Sequence, residues 1–169
     1  MDDSGKYGTF AMTADELAHF CSMEADQAVL TSLRKNGAPF GIPLGFVYDG
    51  DCFYITTTKG RTLPKRLRND ARVCLTIPSR VAYPTKFVIA EGTAAHVDDP
   101  DDAISRRILF DGPADKFEKM RVDPERFFES WVGIGRVVYR IDVTNLVTFD
   151  GTKTPKGEKY GTGQRMPGD

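Results

Sequence analysis

Five cations fall within ten residues of this chain, at Lys59, Arg61, Lys65, Arg66 and Arg68. Three consecutive hydroxyls, Thr56, Thr57 and Thr58, stand immediately before them. Arginine offers a planar fork of donors to an oxyanion, and lysine a compact point charge. Hydroxyls and turn amides add neutral donors. That combination is the chemistry of an anion site, most economically a phosphate site. A solvated basic turn would contain the same residue types. The upstream segment points beyond that reading: Pro43, Gly45 and Phe46 interrupt an apolar run where a flat molecule has room against the backbone.

Other chemistries find little support. Gly133-Ile134-Gly135 precedes a strand instead of opening a helix and lacks a third glycine, so a dinucleotide fingerprint is rejected. No GxSxG elbow is present. His19 and His96 stand alone, and Cys21, Cys52 and Cys74 lie far apart in apolar contexts, so no metal is expected and the cysteines read as buried free thiols. A net charge of −1 and cations without interleaved aromatics argue against nucleic acid. No apolar run is long enough for a bilayer, and the acidic start lacks a signal-peptide core, so a cytoplasmic protein without membrane association is expected. Any catalysis would then fall to a bound cofactor.

The elements that must position the basic turn are legible. Residues 1–12 read as a flexible arm. Thr13 and Glu16 fit a capping box, opening a helix with Leu17, Phe20 and Cys21 on one side. Ala28–Leu33 reads as a strand, Asn36-Gly37 as a hairpin turn, Phe40–Tyr48 as the second strand, Asp49-Gly50 as another turn and Asp51–Thr58 as the third strand. A short helix over Leu63–Asn69 accommodates Pro64 in its first turn. Val73–Ile77 and Phe87–Val97 follow as strands, the latter with a bulge at Gly92. Asp99-Pro100 and Asp123-Pro124 each predict a helix start, the first helix turning Ile104, Ile108 and Leu109 inward. Phe127, Phe128 and Trp131 share one helix face, and that spacing favours the core over a cofactor lining. Val137–Val143 begins the sixth strand, and residues 151–169 read as a mobile tail. Hairpins between the early strands predict a mainly β fold, an antiparallel sheet or barrel with peripheral helices.

The ordered segments Ala28–Leu33, Asn36–Pro39, Pro43–Gly50, Phe53–Thr57, Leu67–Leu75 and Arg136–Asp142 resemble the pyridoxamine 5′-phosphate oxidase-like proteins. These are the FMN-binding split β-barrels, which include the deazaflavin (F420)-dependent reductases. The resemblance spans residues 13–150. It implies a six-stranded antiparallel split barrel, a homodimer, and cofactor sites at the dimer interface. Carried onto this chain, ring contacts fall on Pro43, Leu44, Gly45 and Phe46, with Ile77 and Pro78 near the ring. Phosphate contacts fall on Thr57, Thr58, Arg61, Thr62 and Lys65, while Trp131 and Arg136 reach the partner's site. One position departs: many members carry a phosphate-binding lysine where this chain has Leu63. Either Lys65 or Arg61 substitutes for it, or the phosphate grip is weaker.

The expected function is an oxidoreductase that uses bound F420 or FMN to pass a hydride to a small planar acceptor, with a proton from solvent or Tyr48. The number of cations favours F420, which carries a carboxylate tail besides its phosphate. The alternative is a non-catalytic flavin- or haem-binding module of the same fold.

Overall fold

The computed structural model describes residues 10–111, 117 and 121–153. The capping box forms as the sequence predicts. Thr13 N donates to Glu16 Oε2 (2.7 Å) and Glu16 N to Thr13 Oγ1 (3.3 Å), starting α1 (Ala14–His19), which continues as a π-helical turn over Phe20–Glu24. Leu17, Phe20 and Cys21 are buried against the barrel.

Seven strands make one antiparallel sheet: β1 (Ala28–Leu33), β2 (Pro39–Leu44), β3 (Phe46–Tyr48), β4 (Cys52–Thr58), β5 (Arg72–Pro78), β6 (Lys86–Val97) and β7 (Arg136–Asp150). Their order is β2-β1-β5-β6-β7-β4-β3. The terminal strands β2 and β3 are consecutive in the chain, separated by Gly45 alone. The second predicted strand is therefore two. Its first half pairs with β1 and its second half with β4, and the bend between them closes the sheet on itself. Counted as continuous chain, this is the expected six-stranded split barrel. A Cβ on Gly45 would lie 3.3 Å from Ile108 Cγ2, so the bend also lets α3 (Ala103–Phe110) pack closely.

Both predicted turns form, with Gly37 and Gly50 at φ +81° and +85°. The bulge predicted at Gly92 is a register shift between β6 and β7. A Cβ there would stand 2.1 Å from Asp142 O, so glycine is the residue that lets β7 cross. Leu30, Phe53, Ile55, Leu75, Ile77, Val88 and Ile141 fill the interior. Helix α2 (Thr62–Asn69) plugs one end by burying Leu63 and Leu67, one turn apart.

The helix predicted to start at Pro100 starts at Ala103 instead. Asp99 still caps it, from further away: its carboxylate accepts from Ile104 N (2.9 Å) and Ser105 N (2.8 Å). Ile108 is buried in this helix, whereas Ile104 and Leu109 are half-buried. Helix α4 (Pro124–Gly133) begins at its predicted cap, with Asp123 accepting from Arg126 N (2.8 Å). Phe128 is its buried aromatic; Phe127 and Trp131 are half-buried.

Residues 10–12, the end of the predicted arm, bond to the last strand: Asp150 N donates to Phe10 O (2.8 Å) and Met12 N to Thr148 Oγ1 (2.8 Å). Lys153, in a single 3-10 turn, reaches Ala11 O (2.7 Å) and Glu16 Oε2 (2.6 Å). The rest of the predicted arm (1–9) and tail (154–169) lies outside the described residues. No helix among the described residues is long and apolar enough to cross a membrane.

Candidate functional site

The basic turn is held by the β4–β7 pairing. Thr57 lies opposite Val137 and Thr58 opposite Arg136, and Thr56 Oγ1 donates to Val137 O (3.2 Å). The ladder extends one bond into the turn, Lys59 N to Gly135 O (3.0 Å); Arg61 N then turns back to Thr58 O (3.0 Å). Arg61 occupies the N-cap of α2 without a side-chain cap bond, leaving its guanidinium exposed. Thr62 opens the helix, where its hydroxyl accepts from Arg66 Nη2 (2.7 Å). Lys65 sits one turn beyond Arg61, also exposed.

Arg136 joins this group from the start of β7. Its guanidinium lies 3.8 Å above the Trp131 ring, and its Nε donates to Trp131 O (3.2 Å). Burial, and then the charge of Arg61, lower its pKa to about 10. Among the described residues, no carboxylate pairs with Lys59, Arg61, Lys65, Arg68 or Arg136. A half-buried guanidinium without a counter-ion, beside a second guanidinium, is an arrangement that an anion completes.

Leu63, at the position where a lysine was expected, is 1% exposed and belongs to the core. The departure thus serves packing, and the cations two positions to either side, Arg61 and Lys65, face solvent in its place. The ring-side residues divide. Pro43 is exposed at the end of β2, opposite Val29, which in turn pairs with Thr76. Leu44 is half-buried and packs on the core. Phe46 is buried against Phe53, and Ile77 is fully buried, so their backbones are what is left for a ligand beside the ring. Pro78 is exposed beside Phe87. Phe46 pairs with Ile55, two residues before Thr57, which brings the bend alongside the threonines.

Tyr48 stands away from the basic turn. It pairs with Phe53 at the opposite end of β4 from Thr58, roughly 17 Å away at strand rise, and its hydroxyl donates to Gly50 O. Of the two histidines, His19 is exposed beside Glu24, and His96 lies edge-on to Tyr139.

Sequence reasoning missed a second basic hollow of about 520 Å3, lined by Arg34, Lys35, Lys65, Asn69, Asp70 and Arg72. Asp70 is engaged by Arg72 (2.7 Å), and among the described residues no carboxylate pairs with Arg34 or Lys35. Arg34 and Arg66 both lie over Phe40, at 4.6 and 4.0 Å. The Arg34-Lys35 pair before Asn36-Gly37 was the available signal, and it reads equally well as an ordinary solvated turn.

The sequence matches the family pyridoxamine 5′-phosphate oxidase over residues 14–129, and the chain belongs to that family. No curated protein matches. Solved structures do. A conserved hypothetical protein of Mycobacterium tuberculosis, Rv2991, superimposes with a TM-score of 0.66 at 20% identity, covering 91% of this chain and 96% of its own. An F420 reductase gives 0.57 at 18%, covering 76% and 94%. An FAD-binding protein of Mesorhizobium loti gives 0.55 at 16%, covering 82% and 93%. At these identities the likeness is one of fold.

Proposed function

We propose that this protein is a flavin- or deazaflavin-dependent oxidoreductase that delivers a hydride to a small planar acceptor. The observation that carries the reading is the uncompensated cation cluster at the β4–α2 turn, in a chain of the pyridoxamine 5′-phosphate oxidase family. Lys59, Arg61, Lys65 and Arg136, with the Thr57 and Thr58 backbone between them, suit a phosphate. The bend at Pro43–Gly45 suits a ring. When bound, the cofactor supplies the hydride chemistry. The chain supplies charge, orientation and a wall against water. F420 is preferred to FMN because the cations outnumber what one phosphate needs, and the solved F420 reductase shares the fold.

A homodimer is part of this reading. Pro43, Val29, Thr76, Ile89 and Val147 form one row across five strands on the outer face, and each is exposed or half-exposed. Apolar residues in four of these five positions suit a second copy. The test is turnover. Reduced F420 and, separately, reduced FMN are mixed with a panel of quinones, nitroaromatics and enones, with and without protein. Protein-dependent reoxidation with at least one acceptor supports the oxidoreductase. Tight cofactor binding without acceleration by any acceptor overturns catalysis and leaves a binding module.

A further inference from the structure

The hollow of about 520 Å3 at the β1–β2 hairpin carries positive charge that the cofactor phosphate does not use. Its cations are Arg34, Lys35, Lys65 and Arg72, and its acid is Asp70. Lys65 stands on the rim and belongs to the phosphate cluster. Asp70 is spent on Arg72, whose Nε donates to Oδ1 (3.0 Å) and whose Nη2 donates to Oδ2 (2.7 Å). Arg34 and Lys35, adjacent in the chain, have no carboxylate partner among the described residues. Arg34 is also held in place. Its guanidinium lies 4.6 Å from the centroid of the Phe40 ring, on which Arg66 rests at 4.0 Å, and Arg66 Nη2 is tied in turn to Thr62 Oγ1 (2.7 Å). Part of the entropy of ordering Arg34 on a ligand is therefore already lost in the free chain.

The surroundings select the kind of anion. Gly37 N donates to Arg34 O (2.8 Å) and Ala38 N to Asn36 Oδ1 (3.2 Å), so these turn amides are spent within the turn. A compact oxyanion favours a nest of converging amides, whereas cations spaced along a wall favour charges spaced along a ligand. The volume is that of a small organic molecule, not of a lone ion. We infer that this hollow binds an extended oligocarboxylate, one carboxylate on Arg34 and another on Lys35. Two sources share that chemistry: a free polycarboxylate and the carboxylate tail of F420. Lys65 is common to the hollow and the phosphate cluster, so one molecule held by its phosphate can extend across both. Assignment to the tail rests on the cofactor reading; the charge surplus at Arg34 and Lys35 does not.

The probes are acetate, inorganic phosphate, succinate, tricarballylate and γ-linked triglutamate, titrated by calorimetry into the whole chain at low ionic strength. Triglutamate should bind at least about tenfold more tightly than acetate or phosphate, and salt at about 150 mM should weaken it. Arg34→Gln with Lys35→Gln should reduce it to the acetate level. Both side chains are exposed, so the fold has little to lose. Lys35→Gln alone, which leaves the Phe40 stack intact, should remove part of the gain. Affinity that does not rise with the number of carboxylates, or that survives in the double variant, overturns the inference. F420 with and without its glutamates separates the sources. Glutamates that tighten F420 binding to the wild-type chain, and not to the double variant, make the tail the occupant. Glutamates that make no difference, while free triglutamate binds, keep the site and overturn its assignment to the tail. Binding of triglutamate with no binding of F420 or FMN also keeps the site and counts against the cofactor reading alone.

Discussion

Replacing Arg136 by methionine separates a ligand-binding arginine from a structural one. Methionine keeps an unbranched apolar stem against Trp131 and removes the charge and the Nε donor. The free chain gains from losing an uncompensated cation. The fall in pKa from 12.5 to about 10 corresponds to about 3 kcal/mol at face value, and to about 1 kcal/mol once solvent screening of a half-exposed group is allowed for. Against this stand the stacking on Trp131, worth about 0.5–1 kcal/mol, and the bond to Trp131 O, worth about 1 kcal/mol. These nearly cancel, so the unfolding free energy should move by less than about 1 kcal/mol. Cofactor affinity has no such compensation. Loss of one charge-assisted bond should weaken it by about 1.5–3 kcal/mol, or roughly 10- to 150-fold. Urea unfolding and cofactor-fluorescence titration read the two quantities on one preparation. A loss of about 2 kcal/mol or more in stability with unchanged affinity would refute the reasoning and make Arg136 a pin for α4.

Three further outcomes follow from other parts of the structure. Gly92→Ala forces a Cβ to within 2.1 Å of Asp142 O and should cost about 3 kcal/mol in urea unfolding, while Gly60→Ala, with open space around it, should stay within about 0.5 kcal/mol. Glu16 is held at about 2, below its ordinary 4.5, chiefly by the Lys153 ammonium and then by Thr13 N–H. Its contribution is therefore present above 4.5 and lost as pH falls through 2, so Glu16→Gln should flatten the decline of the urea midpoint across that window. Burial pushes the Cys21 thiol up to about 12, so under native conditions at neutral pH it should resist alkylation and react only after denaturation, as mass spectrometry will show.

What was legible in the sequence was mostly local. The Thr13–Glu16 box, the Asn36-Gly37 and Asp49-Gly50 turns and the Asp123 cap depend on a few neighbouring residues, and each formed where expected. The break at Gly45 was not legible, because Phe40–Tyr48 has strand character throughout. Which strand each half joins is settled by barrel closure and by Ile108 approaching Gly45. The start of α3 moved from Pro100 to Ala103 because a carboxylate can cap from outside the N-cap position. In the site, the basic turn was readable as a run of cations. The arrival of Arg136 beside Arg61 was not, since it depends on β4 pairing with a strand distant in sequence. Phe46 and Ile77, drawn into the site by resemblance, have core side chains, which leaves their backbones to a ligand, a distinction that apolar type alone does not show.

The central claim is that the β4–α2 turn grips a cofactor phosphate, and the most direct measurement is a fluorescence titration of F420 and of FMN. It is run on the wild-type chain and on Arg61→Ala with Lys65→Ala. The account predicts saturable binding of F420, tighter than that of FMN, weakened by about 2–4 kcal/mol in the double variant. Failure of the wild-type chain to bind either cofactor, or unchanged affinity in the variant, would contradict it.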